Sequence, residues 1–134
     1  MDTLRITLVD DDSIFCFLFK NILEQYPRKK ISLEVYPEGH SALEAFRKTK
    51  SDMEKYPHLL FIDINMPLLN GWELLDTIHK EDLFELRVVN TYIISSSISN
   101  VDRESAIRES KKMNFLSKPI NSEDLFRILD DSEI

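Results

Sequence analysis

Leu59-Leu60-Phe61-Ile62-Asp63-Ile64-Asn65-Met66-Pro67 decides the fold. Four apolar residues run unbroken into an acid, and a proline follows shortly after. Such a run predicts a strand over 59–63 that is buried on both faces, the habit of parallel sheets. Parallel strands need helical crossovers, so strands and helices should alternate on either side. Upstream, residues 5–9 read as a strand rich in Ile, Leu and Val. Ser13 can cap a helix to about Tyr26, with Phe17, Phe19, Ile22 and Leu23 among its apolar residues. Pro27 and the basic Arg28-Lys29-Lys30 end that helix. Residues 31–36 read as a second strand, Pro37-Glu38-Gly39 as a turn, and Ser41 as lying at the start of a second helix. The polar stretch 48–58 reads as a helix tail and a loop.

Downstream, a third helix is expected near 72–79 and a fourth strand over 88–94. A fourth helix starts at Ser99 or Asn100, with Glu104 and Arg108 as an i,i+4 pair. Asn114 can take the left-handed cap usually given to glycine. A short fifth strand covers 115–117. The fifth helix follows Pro119, capped by Asn121 or Ser122, with Leu125, Phe126, Ile128 and Leu129 inward. Five βα units result, a three-layer α/β sandwich in one domain over 1–134 with no output domain.

Four landmarks lie at the ends of these strands: Asp10-Asp11-Asp12, Asp63, Ser95 and Lys118-Pro119. The carboxyl ends of parallel strands open onto one crevice, so these distant residues should share a pocket. Adjacent Asp10 and Asp11 cannot both face the core, so at least one should reach the crevice. Clustered carboxylates repel, which raises a pKa or demands a cation. Hard cations such as Mg²⁺ take oxygen ligands and keep waters. A cation there would shield an incoming phosphoryl group and leave Asp63 free as a nucleophile. Lys118 offers a point charge and Ser95 a hydroxyl to phosphoryl oxygens. Phosphoryl transfer is mostly positioning and charge neutralisation, so this small set suffices. Asp12 reads as loop solvation, Trp72 as packing near the pocket mouth, and His40, His58 and His79 as surface residues.

Composition fits that reading. The chain has 134 residues, 43% apolar and 31% charged, with a formal net charge of -7. A surface of that sign repels nucleic acid and anionic membrane, which argues against direct DNA binding. No apolar run approaches the roughly 18 residues of a membrane span, and no signal peptide is evident. The single cysteine, Cys16, excludes an internal disulfide, which fits a cytoplasmic location. It reads as a small buried hydrophobe, since no basic residue or histidine flanks it.

On the motifs Leu8-Val9-Asp10-Asp11-Asp12, Phe61-Ile62-Asp63-Ile64-Asn65-Met66-Pro67, Asn70-Gly71, Ile94-Ser95-Ser96 and Phe115-Leu116-Ser117-Lys118-Pro119, the chain resembles the receiver domain of two-component response regulators, the CheY-like family. The resemblance covers essentially the whole chain. It implies a flavodoxin-like parallel sheet of order 2-1-3-4-5. It implies that Asp63 accepts a phosphoryl group from a histidine of a sensor kinase or phosphotransfer protein. It implies Mg²⁺ (or Mn²⁺) held by Asp11, Asp63 and the backbone carbonyl of Asn65, with Asp10 acting through water. Lys118 would pair with the phosphoryl group, and the Lys118-Pro119 bond would be cis. Ser95 and Phe115 would be the switch pair that alters the face of helix four, strand five and helix five toward a downstream protein. The chain would be a monomer or weak homodimer, catalysing only its own phosphorylation and dephosphorylation.

Departures from the family pattern are visible. Ser95 stands where Thr is frequent, Phe115 where Tyr is common, and Asn114 where Gly is frequent. Asn65 and Ser97 occupy the positions that tune phosphoryl lifetime. The segment before the third strand is long. An enzyme alternative is a haloacid-dehalogenase-like phosphatase, because Asp10-Asp11-Asp12-Ser13-Ile14 nearly matches that nucleophile motif. It would phosphorylate Asp10 rather than Asp63, but Ile14 replaces Thr or Val and no downstream acidic metal motif follows. A receiver that binds partners without phosphorylation is the third reading, opposed by the intact set Asp10, Asp11, Asp63, Ser95 and Lys118.

Overall fold

The structure is a computed structural model and describes residues 2–96 and 114–134. The expected fourth helix, with Ser97, Glu104 and Arg108, lies outside the described residues. Five strands form one parallel sheet: β1 (Thr3–Val9), β2 (Lys30–Tyr36), β3 (Leu59–Asp63), β4 (Asn90–Ser95) and β5 (Asn114–Ser117). Their order is β2-β1-β3-β4-β5, as the resemblance implied. Between them lie α1 (Ser13–Glu24), α2 (Gly39–Lys48) and α3 (Gly71–Lys80), and a last helix spans Ser122–Asp131.

Side-chain alternation along each strand builds two cores. Leu60 and Ile62 of β3 face α2 and α3, joined by Ala42, Phe46, Leu74 and Ile78. Leu59 and Phe61 face α1 and the last helix, joined by Phe15, Phe19, Leu125 and Leu129. All five residues of β3 are buried, which is why its sequence is continuously apolar up to Asp63. The edge strand β2 is only half covered, and its sequence mixes polar with apolar residues accordingly.

Several expectations on the elements need correction. Asp12, not Ser13, caps α1: its carboxylate accepts from the backbone N–H groups of Ile14 and Phe15, both at 3.1 Å. Carboxylates are among the strongest caps, so Asp12 does more than solvate a loop. The helix ends at Glu24, and Phe17 turns outward at 64% exposed. Tyr26 beyond it is buried, and its hydroxyl donates to Asp130 of the last helix at 2.6 Å. Residue 88 lies outside β4, with Val88 79% exposed. Asn114 opens β5 instead of taking a left-handed cap; among the described non-glycine residues only Leu68 and Asp82 have positive φ. The fold starts α3 with a capping box between Asn70 and Glu73. The last helix is capped by Asn121, as read.

The long segment before β3 is ordered. It forms a 3-10 turn, Met53–Lys55, against the fully buried Tyr56. The Arg87 guanidinium donates to the carbonyls of Met53 and Tyr56 at 3.1 and 2.8 Å, tying this turn to the approach to β4. His58 is half-buried, not a surface residue, and its Nδ1 accepts from the backbone N–H of Arg5 at 2.9 Å. Burial, with Arg87 and Arg5 nearby, holds its pKa below the ordinary 6.5. Protonation would destroy the acceptor. The sign follows: this group stabilises the fold above pH 6.5 and the gain is lost as pH falls below it. Wild-type stability minus that of His58→Gln, from urea unfolding, should therefore shrink between pH 7.5 and 5. A difference that stays flat would show that His58 is not titrating against the fold.

Candidate functional site

Strand register assembles the site. Val9 pairs with Ile62, so the next residues, Asp10 and Asp63, emerge side by side where β1 and β3 end. Asp63 pairs with Ile94 of β4, and Ser95 pairs with Ser117 of β5, which brings Ser95 and Lys118 to the same rim. The backbone N–H of Lys118 donates to the Ser95 carbonyl at 2.9 Å, and the Lys118-Pro119 bond is cis. All four landmarks read from the strand ends thus meet in one place.

Asp10 is 1% exposed and Asp63 4%. Carboxylate oxygens of Asp10, Asp11 and Asp63 lie within 4.8 Å of one another. Asp11 is exposed at the mouth, so both members of the pair reach the crevice from different depths. Asp10 Oδ1 accepts from the Asp12 N–H at 2.9 Å. Its other oxygen has no well-directed hydrogen bond and rests on the Lys118 ammonium, 2.9 Å away. That ammonium is 3.8 Å from Asp12 and 3.9 Å from Asp63. One cation therefore faces several anions. Two unit charges at such separations repel by about 3–4 kcal/mol at an effective dielectric near 20.

The titration behaviour records this imbalance. Burial, then the Asp10 charge, pushes the Asp63 carboxyl up to about 6, against the pull of Lys118. Burial also raises Asp10, opposed by the Asp12 N–H and Lys118. Burial works against the Lys118 ammonium, yet Asp10, Asp63 and Asp12 together hold its pKa above the ordinary value. An oxygen set of two buried carboxylates and one exposed at the mouth fits a hard divalent cation, which would supply the missing positive charge.

Other expected residues are also placed. Ser95 is fully buried, and its Oγ accepts from the Asn65 amide at 3.3 Å. Asn65 is exposed, and its backbone N–H donates to Asp63 Oδ1 at 3.4 Å. Phe115 is partly buried beside Trp72, ring centroids 6.2 Å apart, in the core under α3, so Trp72 packs as read. Cys16 is half-buried. Burial and the Asp10 charge push its thiol up to about 11, so it is no reactive thiol. Sequence reasoning missed Phe15, whose ring lies under Lys118 with the ammonium 4.5 Å from its centroid. The only signal for it was its spacing, three residues after the capping acid.

The response regulator receiver domain model matches residues 6–130, and the chain belongs to that family. It is 26% identical over 133 residues to the probable methanogenesis regulatory protein FilR2 of Methanothrix harundinacea, covering 97% of this chain and 81% of that one. It is 30% identical over 131 residues to the transcriptional regulatory protein RprY of Bacteroides fragilis, covering 95% of this chain but 48% of RprY. Among solved structures it resembles a two-component response regulator from Cytophaga hutchinsonii, with TM-score 0.75, 26% identity, and 94% and 93% of the two chains covered. Receiver domains of this family are phosphoacceptors of two-component signalling. No helix among the described residues is long and apolar enough to cross a membrane.

Proposed function

We propose that this chain is a receiver switch in a two-component phosphorelay, with Asp63 as the phosphoacceptor. One observation carries this. A nearly buried carboxylate at a strand end sits among two further carboxylates and one ammonium, the surplus of negative charge that a metal-assisted acceptor needs. An Asp63 oxygen attacks the phosphorus of a phosphohistidine on a sensor kinase or phosphotransfer protein. The O–P bond forms, the P–N bond breaks, and its electron pair leaves with the imidazole nitrogen, which regains a proton. Asp11, Asp63 and the Asn65 carbonyl would hold Mg²⁺ (or Mn²⁺), with Asp10 acting through water. When bound, the ion would supply positive charge to phosphoryl oxygens and relieve the carboxylate repulsion. Lys118 turns from Asp10 to a phosphoryl oxygen. Asp10 as the acceptor is disfavoured, because its oxygens are already held by the Asp12 N–H and by Lys118.

The contact between the Asn65 amide and the Ser95 hydroxyl supports a switch at that pair. Ser95 leaves the Asn65 amide for the new phosphoryl oxygens, and Phe115 moves into the space vacated. The face that the family resemblance assigns to helix four, strand five and helix five, of which β5 and the last helix lie among the described residues, then changes its affinity for a downstream protein. Both states exist before phosphorylation, and the phosphoryl group shifts their populations. The acidic surface disfavours nucleic acid, so the partner is a protein, and the chain works in the cytoplasm as a monomer or weak homodimer.

Intact-protein mass after incubation with acetyl phosphate and Mg²⁺ tests the acceptor. Wild type should gain one phosphoryl group, and Asp63→Asn or removal of Mg²⁺ should abolish the gain. A gain that survives Asp63→Asn would move the acceptor to Asp10.

A further inference from the structure

Phe15 is buried in the core on the α1 side, and its plain role is packing against Phe19, centroids 5.9 Å apart. The Lys118 ammonium lies over the ring face, 4.5 Å from the centroid. The Lys118 side chain is only 14% exposed, so little water competes for it. A cation over an aromatic face is attracted by the ring quadrupole, and more strongly when desolvated.

We infer that Phe15 is a positioning residue for the phosphoryl site: its ring face holds the Lys118 ammonium inside the pocket, within reach of the Asp63 oxygens. Three anions pull on this lysine from different directions. Asp10 takes it at 2.9 Å, while the exposed Asp12 at 3.8 Å draws it toward solvent. Asp63 stands at 3.9 Å, near enough for the ammonium to meet an oxygen of a phosphoryl group carried there. The ring carries no formal charge, so it holds the ammonium without locking it to one carboxylate. It is a floor along which the amine can slide from Asp10 to a phosphoryl oxygen.

The chain builds this floor locally. Asp12 caps α1 through the N–H groups of Ile14 and Phe15, which sets Phe15 in the first turn, facing inward. Phe15 then leans on Phe19, Phe19 on Phe61 at 5.1 Å, and Phe61 stacks on Tyr92 at 5.1 Å. Phe61 lies two residues before Asp63, on the same face of β3. One aromatic row thus ties the lysine's floor to the acceptor strand.

This inference rests on the phosphoacceptor reading, and the test separates the two. Uptake from acetyl phosphate with Mg²⁺ is followed by intact mass for wild type, Phe15→Leu, and full-length chain carrying ring-fluorinated phenylalanine at position 15. Fluorination keeps the shape and depletes the ring face of charge. Phe15→Leu should slow uptake by roughly 3- to 30-fold, and each added fluorine should lower the rate stepwise. The side-chain methylene protons of Lys118 should lose their ring-current shift in Phe15→Leu. Wild-type uptake with fluorinated protein unchanged would overturn the role of Phe15 and leave the acceptor reading standing, whatever the folding of Phe15→Leu. No uptake by wild type would overturn the acceptor reading and the role of Phe15 with it.

Discussion

At pH 7 without divalent cations, the Asp63→Asn protein should be more stable than wild type by about 2–3 kcal/mol. The acid proposed as the phosphoacceptor is a burden on the fold. Burial and the Asp10 charge push its pKa up to about 6 from 3.8, roughly two pH units at about 1.4 kcal/mol each. A raised folded-state pKa means that the proton binds more tightly in the fold than in the unfolded chain. The contribution to stability is complete below pH 3.8 and is lost as pH rises through 6. An amide at the same place has nothing to ionise and can still accept from the Asn65 N–H, 3.4 Å away in the wild type. The gap should therefore be full at pH 7 and close toward pH 4. Urea unfolding at several pH values measures it, with the midpoint shifting and the slope unchanged. Saturating Mg²⁺ should narrow or reverse the gap, since a ligand at 100 times its Kd stabilises by about 2.7 kcal/mol. A variant no more stable than wild type, or a gap that does not change with pH, would show that Asp63 is not held under electrostatic stress.

Gly71→Ala should cost about 3 kcal/mol, and it should slow phosphoryl uptake as well. Gly71 opens α3 where the helix touches the end of β3, and its N–H donates to the Ile64 carbonyl at 3.2 Å. Its backbone is not left-handed; the demand is for space. A Cβ there would sit 2.7 Å from the Asp63 carbonyl oxygen, 2.8 Å from Ile64 Cα and 3.1 Å from Ile62 Cγ2. The two nearest atoms are backbone, so the helix or the strand end must move. Overpacking typically costs 1–3 kcal/mol, and backbone neighbours put this case at the upper end. The strand end that moves carries Asp63, the proposed acceptor, which would couple the stability loss to phosphoryl uptake. Gly39→Ala is the milder comparison: its nearest neighbour is the tip of the Leu69 side chain at 2.9 Å, which can yield, and the nearest backbone atom, the Leu69 carbonyl oxygen, stands farther off at 3.1 Å than either backbone atom beside Gly71. If Gly71→Ala unfolds at the wild-type urea midpoint, the close approach of α3 to β3 is not what requires glycine.

The strand ends were legible because burial on both faces writes itself into sequence as a continuous apolar run, and because polar residues that close such a run have few places to go. Leu59 to Ile62 mark β3, and the strand-end positions of Asp63, Ser95 and Lys118 place them around one crevice. Helix caps were less legible, since Asp12 and Ser13 are both good caps and only backbone geometry chooses Asp12. Val88 read as strand because it is apolar, but its neighbours leave it in solvent. His58 looked like a surface residue until the register of β1 placed the Arg5 N–H against its ring.

By itself, then, the order of residues determined a parallel sheet, the motifs that carry the family resemblance and the identity of the charged groups, since alternation and strand-end position are properties of the chain alone; the order of the strands came from the resemblance. Tertiary structure alone decided the depth of each carboxylate, the sharing of one ammonium among Asp10, Asp12 and Asp63, the space denied to a side chain at Gly71, and the ring beneath Lys118. Those depend on distances between residues from 7 to 108 positions apart in the chain, and such distances exist only once the chain has folded.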